Sequence, residues 1–391
     1  MLNTSLSPWP SFTQEEADAV SKVLLSNKVN YWTGTECREF EKEFAAFVGT
    51  QYAVALSNGT LALDVALKAM GIGQGDDVIV TSRTFLASAS CIVTAGANPV
   101  FADVDLNSQN ISAETIKAAL TPTTKAIIVV HLAGMPAEMD DIIALAKEHN
   151  LWVIEDCAQA HGAKYKGKSV GSIGHVGAWS FCQDKIMTTG GEGGMVTTND
   201  KELWSKMWSY KDHGKSYDAV YHREHAPGFR WLHESFGTNW RMMEMQAVIG
   251  RIQLKRMPEW TARRQAHAAK LAESLGKFAS IRLVEVADYI EHAQYKFYAF
   301  VKPEHLKDGW TRDRIVNELN ARKVPCYQGS CSEVYLEKAF DNTPWRPKER
   351  LKNAVELGDT SLMFLVHPTL TDEEIAFCKE HIEAVLTEAT A

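Results

Sequence analysis

The chain has 391 residues, a formal net charge of −8, 45% hydrophobic residues and 23% charged residues. That length predicts two or three lobes rather than one small domain. The acidic balance disfavours nucleic-acid binding through a basic surface. No apolar run approaches the roughly 18 residues that a membrane span requires, and MLNTSLSPWPSF lacks a charged segment followed by an apolar core, so no signal peptide is expected. The 7 cysteines show no CxxC pairing, which fits reduced thiols in the cytoplasm rather than a disulfide frame or a zinc site.

Residues 1–12 read as an arm carrying Pro and Trp. Thr13 to Asn27 is predicted helical, with Thr13 as N-cap and Glu16 in the capping-box position. Glu36 to Val48 is a second helix, with Phe40, Phe44, Phe47 and Val48 on one face. From Tyr52 to Asn199 the pattern alternates between strand and helix, with apolar strands at 53–56, 77–80, 99–104, 125–131, 151–155, 177–182 and 194–198. This alternation predicts an α/β fold whose mostly parallel sheet is covered on both faces. Residues 205–240 hold His213, His222, His225 and His233 and read as a polar loop at the mouth of a site. HREH is not HExxH, and no metal site is expected there. Met242–Met257 reads as a helix, with Pro258 opening a further segment and Thr261–Leu275 helical again. Strands at Ile281–Val286, Tyr295–Val301 and Val324–Tyr327, with helices at Thr311–Ala321 and Thr371–Thr390, predict a smaller α/β lobe. The expected organisation is an arm at 1–12, a large domain at 13–260 and a small C-terminal domain at 261–391.

Three short stretches carry the chemistry. In Gly177–Asp200, Lys185 lies between an apolar run and a glycine cluster, so strand, loop and strand are expected. Such a lysine suits a Schiff base with an aldehyde in a crowded pocket, although a surface loop lysine reads the same way in isolation. In Leu151–Gly162, a buried parallel strand ends in Glu155 and Asp156, with Gln159 and His161 following. Ligands of open α/β sheets bind at such strand ends, and a helix N-cap is the plainer role for Asp156. The third stretch is Ala53–Leu56 running through Ser57, Asn58, Gly59 and Thr60 into an amphipathic helix. A small turn before a helix N-terminus makes an anion site, or simply a capped helix. Neither GxGxxG nor GxxxxGK[ST] is present. A lysine, an acid and an anion site are together what pyridoxal 5′-phosphate (PLP) requires.

In order along the chain, SNGTLAL, TFLASAS, VDL, VVHLAG, VIEDCAQAHGA, GAWSF…DK…TTGGEGGMVTTND, NWRMMEMQAVIG and QLKRM resemble the sugar aminotransferases of the DegT–StrS type. These belong to the aspartate-aminotransferase (fold type I) superfamily of PLP enzymes. The resemblance spans nearly the whole chain. It implies that Lys185 holds PLP as a Schiff base, Asp156 faces the ring nitrogen, and Gln159 meets the phenolic oxygen. It further implies that Phe85 stacks on the pyridine ring and that Ser180 joins Gly59 and Thr60 at the phosphate. Gly237–Arg241 is similar to the family's Gly-x-Asn-Tyr-Arg block, with Trp240 in place of Tyr. Asn239 would then reach the cofactor phosphate of a partner subunit, making a homodimer with shared sites. The implied reaction moves an amino group from L-glutamate to a carbonyl sugar in cell-surface polysaccharide or lipopolysaccharide biosynthesis, most often a nucleotide-linked keto-deoxysugar. Lysine rather than histidine at 185 favours transamination over dehydration. The segment Pro325–Tyr335 departs from the family's Pro-Leu-His loop, which keeps a second acceptor open: the 8-aldehyde of the octulosonate Kdo, giving 8-amino-3,8-dideoxy-manno-octulosonate. A non-catalytic PLP-binding regulator is a third reading, opposed by the presence of Lys185, Asp156, Gln159 and Ser180 together.

Overall fold

The computed structural model describes residues 6–391, so residues 1–5 of the expected arm lie outside the described residues. The first helix, Gln14–Leu25, begins with the capping box expected from Thr13 and Glu16. The Thr13 amide donates to the Glu16 carboxylate at 2.6 Å, and Gln253 donates to the same side chain at 2.9 Å. A buried glutamate is costly unless bonded. These contacts offset that cost and pin the first helix to the long helix Glu244–Leu275.

The centre of the molecule is a seven-stranded sheet in the order 52–56, 194–198, 176–180, 152–156, 124–130, 77–81, 98–102. Every neighbouring pair is parallel except those made by Gly194–Thr198, which runs against both Tyr52–Leu56 and Val176–Ser180. The sheet is buried on both faces because successive side chains alternate. Val78, Val80, Ile128 and Ile154 enter one core, while Ile79, Ile127, Val129 and Val153 enter the other. Full burial of such a side chain contributes about 1.5–3 kcal/mol.

Helix Glu244–Leu275 is continuous over 32 residues with Pro258 inside it. The break expected at Pro258 does not occur. The proline leaves the Leu254 carbonyl without its intrahelical donor, but packing along the whole helix outweighs that loss. The helix lies against Gln14–Leu25, Glu36–Val48 and the C-terminal helix Asp372–Ala389. The division expected between residues 260 and 261 falls inside it.

The C-terminal part forms a four-stranded antiparallel sheet in the order 281–283, 297–301, 361–364, 326–327. Ser361–Phe364 was not expected from the sequence. A second small sheet joins the two parts, with Ile290–Glu291 pairing with Lys164–Tyr165, which in turn pairs with Lys168–Ser169. The stretch read as a polar loop from 205 begins instead inside helix Lys201–Tyr210, capped by Asp200, and contains a short helix Tyr217–Tyr221. Among the described residues, no helix is long and apolar enough to cross a membrane. All seven cysteines are free thiols.

Candidate active site

The strand Trp152–Asp156 delivers two adjacent carboxylates, and the pleat sends them to opposite faces. Asp156 Oδ2 accepts from Ser88 Oγ at 2.8 Å, and Oδ1 accepts from the Ala158 amide at 3.1 Å. Ser88 is itself paired with Thr84 Oγ1 at 2.9 Å. Burial pushes the Asp156 carboxyl above the usual carboxylate range, opposed by the Ser88 bond, the Ala158 amide and the Lys185 charge. A cationic ring nitrogen is the partner such a carboxylate lacks.

Glu155 goes the other way and is fully engaged. It accepts from His131 Nε2 at 3.0 Å and from the amides of Gly171, Ile173 and Gly174 at 2.8, 2.8 and 2.6 Å. Burial would raise its pKa, but the His131 bond and charge and the amides bring it below the ordinary value. His131, Glu155 and Cys157 are the one group of potential metal ligands that lie close together among the described residues. His131 Nδ1 accepts from the Ala137 amide at 3.1 Å, so both ring nitrogens are already committed. Glu155 is a structural clamp.

The anion site is assembled where two strand ends meet. Asn58 caps helix Gly59–Ala69 by accepting from the Leu61 amide at 3.0 Å. The first-turn amides of Gly59 and Thr60 have no intrahelical acceptor and point out of the helix N-terminus, where the dipole favours an anion. Thr60 is exposed. Ser180 ends the strand Val176–Ser180 against this turn. A Cβ on Gly59 would lie 2.5 Å from Ser180 Cβ, and one on Gly194 would lie 2.2 Å from the Asn58 carbonyl oxygen. Only glycine at both positions lets the helix N-terminus close on the serine.

Lys185 follows in the loop after that strand, with its side chain 16% exposed. Its carbonyl accepts from Trp9 Nε1 at 2.8 Å, and its Nζ lies 5.3 Å from the Tyr295 ring centroid. Gln159 Oε1 accepts from the Ala133 amide at 2.8 Å, which leaves its NH2 as a donor. Phe85 is 70% exposed, one turn from Ser88. Its face is open to a ligand.

Asn239 is exposed on a segment laid along the turn before Gly59: the Ser57 amide donates to the Trp240 carbonyl at 3.0 Å. His213, His222, His225 and His233 form no group close enough to hold a metal among the described residues.

Sequence reasoning assigned no role to His161, Ser88 or Arg264. His161 packs against Trp179 and Phe181, with centroids at 5.2 and 5.6 Å and the rings tilted by 53° and 42°. Burial, with the Lys185 and Arg264 charges, pushes its pKa down to about 3, so the ring is neutral. Arg264 is buried, with Nε and Nη2 unpaired among the described residues. Ser88 meets Asp156 and Arg264 meets the Tyr295 carbonyl across 68 and 31 residues of chain, which sequence spacing does not reveal.

The donor set fits PLP: a lysine, a buried acid, an amide donor and an anion cradle that added Cβ atoms would fill. The fold and the cofactor define the class as a PLP-dependent aminotransferase of fold type I. The chain matches the DegT/DnrJ/EryC1/StrS aminotransferase family over residues 10–383, and it belongs to that family. It is 64% identical to an aminotransferase of known structure from Psychrobacter cryohalolentis, with a TM-score of 0.96 and coverage of 98% of this chain and 99% of the other. DesV from S. venezuelae, solved with a ketimine intermediate, superposes with a TM-score of 0.85 at 31% identity, covering 95% and 94% of the two chains. A GDP-perosamine synthase from Caulobacter vibrioides is 42% identical over 342 residues, 86% of each chain. The protein is a sugar aminotransferase.

Proposed function

We propose that this chain moves an amino group from L-glutamate to a nucleotide-linked keto-deoxysugar in the biosynthesis of a bacterial surface polysaccharide or lipopolysaccharide. The observation that supports it most is the closure of Gly59 on Ser180 beside Asp156 and Lys185, at 2.5 Å for an added Cβ. The named activity of the GDP-perosamine synthase supports the acceptor class. In this reading Lys185 Nζ takes the proton from the donor's α-carbon and returns it as general base and acid. Asp156 holds a proton on the ring nitrogen through its charge. Gly59, Thr60 and Ser180 hold the phosphate, Gln159 orients the phenolic oxygen and Phe85 covers the ring. PLP, when bound, supplies the aldehyde that takes the amine and a ring that takes up electron density. Asn239 reaches the partner's site in a homodimer.

The test is an absorbance spectrum of the protein with PLP, before and after L-glutamate. We expect a visible band that bleaches with L-glutamate and returns on adding a nucleotide-linked keto sugar. Return of the band with the Kdo 8-aldehyde alone would replace the nucleotide sugar as acceptor. The segment Pro325–Tyr335 favours including that arm, because it is bonded directly beside Phe85: the Thr84 amide donates to the Cys331 carbonyl at 3.1 Å. A band indifferent to L-glutamate would reject the donor. Lys185→Ala should show no band and no turnover.

A further inference from the structure

Asp184 has no part in the reading above, yet it is the one carboxylate within 4.0 Å of Lys185 Nζ among the described residues, with Oδ1 at 3.9 Å. The Tyr295 hydroxyl donates to its other oxygen. Tyr295 is in turn fixed from three sides. Its amide donates to the Ala133 carbonyl at 2.9 Å, its carbonyl accepts from Arg264 Nη1 at 3.4 Å, and its ring lies under Lys185 Nζ. Ala133 is the residue whose amide holds Gln159. Hydrogen bonds therefore link Gln159 through Ala133 and Tyr295 to Asp184, whose Oδ1 stands 3.9 Å from the Lys185 ammonium.

The other groups facing Lys185 are mostly cationic or neutral. Lys296 lies 4.7 Å from the Tyr295 ring centroid, and burial pushes its pKa down to about 8. Arg264 approaches from the long helix, and burial pushes it down to about 9. His161 is neutral, Cys182 is a thiol raised by burial, and Asp156 is bound to Ser88. Burial pushes Asp184 upward, but the Lys185 charge, the Tyr295 bond and the Lys296 charge hold it below the usual carboxylate range. It is ionised at neutral pH.

We propose that Asp184, gripped by the Tyr295 hydroxyl, is a positioning residue for the reactive amine: it docks the Lys185 ammonium whenever that amine is not joined to the cofactor. This rests on Lys185 being the cofactor lysine. An opposite charge at this distance stabilises the ammonium, and without it Lys296 and Arg264 would repel Lys185 from the site.

The test uses Asp184→Asn, Asp184→Glu and Tyr295→Phe in the full chain. Two pH profiles are recorded: the rate at which cofactor-free protein captures PLP, read as the rise of visible absorbance, and the position of the visible band once loaded. Asp184 is 58% exposed, so solvent screens the pair, and loss of the carboxylate should move the midpoint of capture to lower pH by about half a pH unit. Tyr295→Phe should move it in the same direction by less, and Asp184→Glu should restore it. Tyr295→Phe removes one hydroxyl only, and serves if Asp184→Asn folds poorly. A wild-type midpoint in both Asp184→Asn and Tyr295→Phe overturns the proposal while leaving the functional reading intact. A visible band that survives in Lys185→Ala overturns both.

Discussion

Glu155 and Asp156 are chemically alike and one bond apart, and the fold gives them opposite duties. Asp156 shares its face of the sheet with Ile154 and, among the described residues, accepts hydrogen bonds from Ser88 and the Ala158 amide. Replacing it with Asn keeps the shape and removes the charge. Turnover should then fall about 100-fold or more, with little change in melting temperature, as steady-state kinetics and thermal unfolding would show. A variant of normal rate would mean that the ring nitrogen needs no counter-charge. Glu155→Gln should do the reverse. It puts an amide where four donors converge, and should cost about 3 kcal/mol of stability. The pH dependence has a definite sign. The folded-state pKa of Glu155 is depressed, so its contribution is present above the ordinary glutamate pKa and is lost as pH falls through the depressed value. The gap in melting temperature between wild type and Glu155→Gln should be constant near neutrality and close below about pH 4. The places of Lys185 and Asp156 were legible in the sequence: Asp156 ends the strand Trp152–Asp156, and Lys185 lies in the loop after the strand Val176–Ser180, as the apolar runs predict. The duty of Glu155 was not, since His131, Gly171, Ile173 and Gly174 meet it only through the fold.

At the level of elements, the site depends on a helix N-terminus closing on a strand end. Gly59→Ala tests this without removing any polar group, although the added methyl would also lie 2.9 Å from Ser180 Oγ. The added methyl would meet Ser180 at 2.5 Å, where both neighbours are backbone-anchored. The helix start must move away from Ser180, and the affinity for PLP should drop about tenfold, some 1.4 kcal/mol. A titration of cofactor-free protein with PLP reads this directly, and an unchanged Kd would remove Gly59 from the cradle. The strands of the large sheet were legible within a residue or two, because each is a continuous apolar run bounded by turn residues. Ser361–Phe364 was not, being four residues with no alternation to mark it. Helix Lys201–Tyr210 hid its apolar face among Trp, Lys and Ser, with only Leu203, Met207 and Trp208 buried. At Pro258 local chemistry pointed to a boundary, and tertiary packing overrode it.

For the whole molecule, the open question is whether one chain makes one site. Asn239 is exposed, and the segment leading to it carries Phe229, Trp231 and Phe236, the last 99% exposed. Large aromatic side chains left in water on one segment mark an interaction surface. A second copy of the chain, as expected from the family resemblance, would cover them and bring Asn239 to its neighbour's phosphate. Subunit mixing separates this from a self-contained site. Lys185→Ala and Asn239→Ala should each be nearly inactive as homodimers. A mixed dimer places the intact Asn239 of the lysine-less subunit against the intact Lys185 of its partner, so one of its two sites is complete. Random exchange makes half of the dimers mixed, and activity should recover to about a quarter of wild type. Recovery requires exchange, so it should be absent on instant mixing and appear as the subunits redistribute, or be present from the start after co-expression. If Asn239 serves its own chain, the mixed dimer holds no complete site, and no amount of exchange restores the rate.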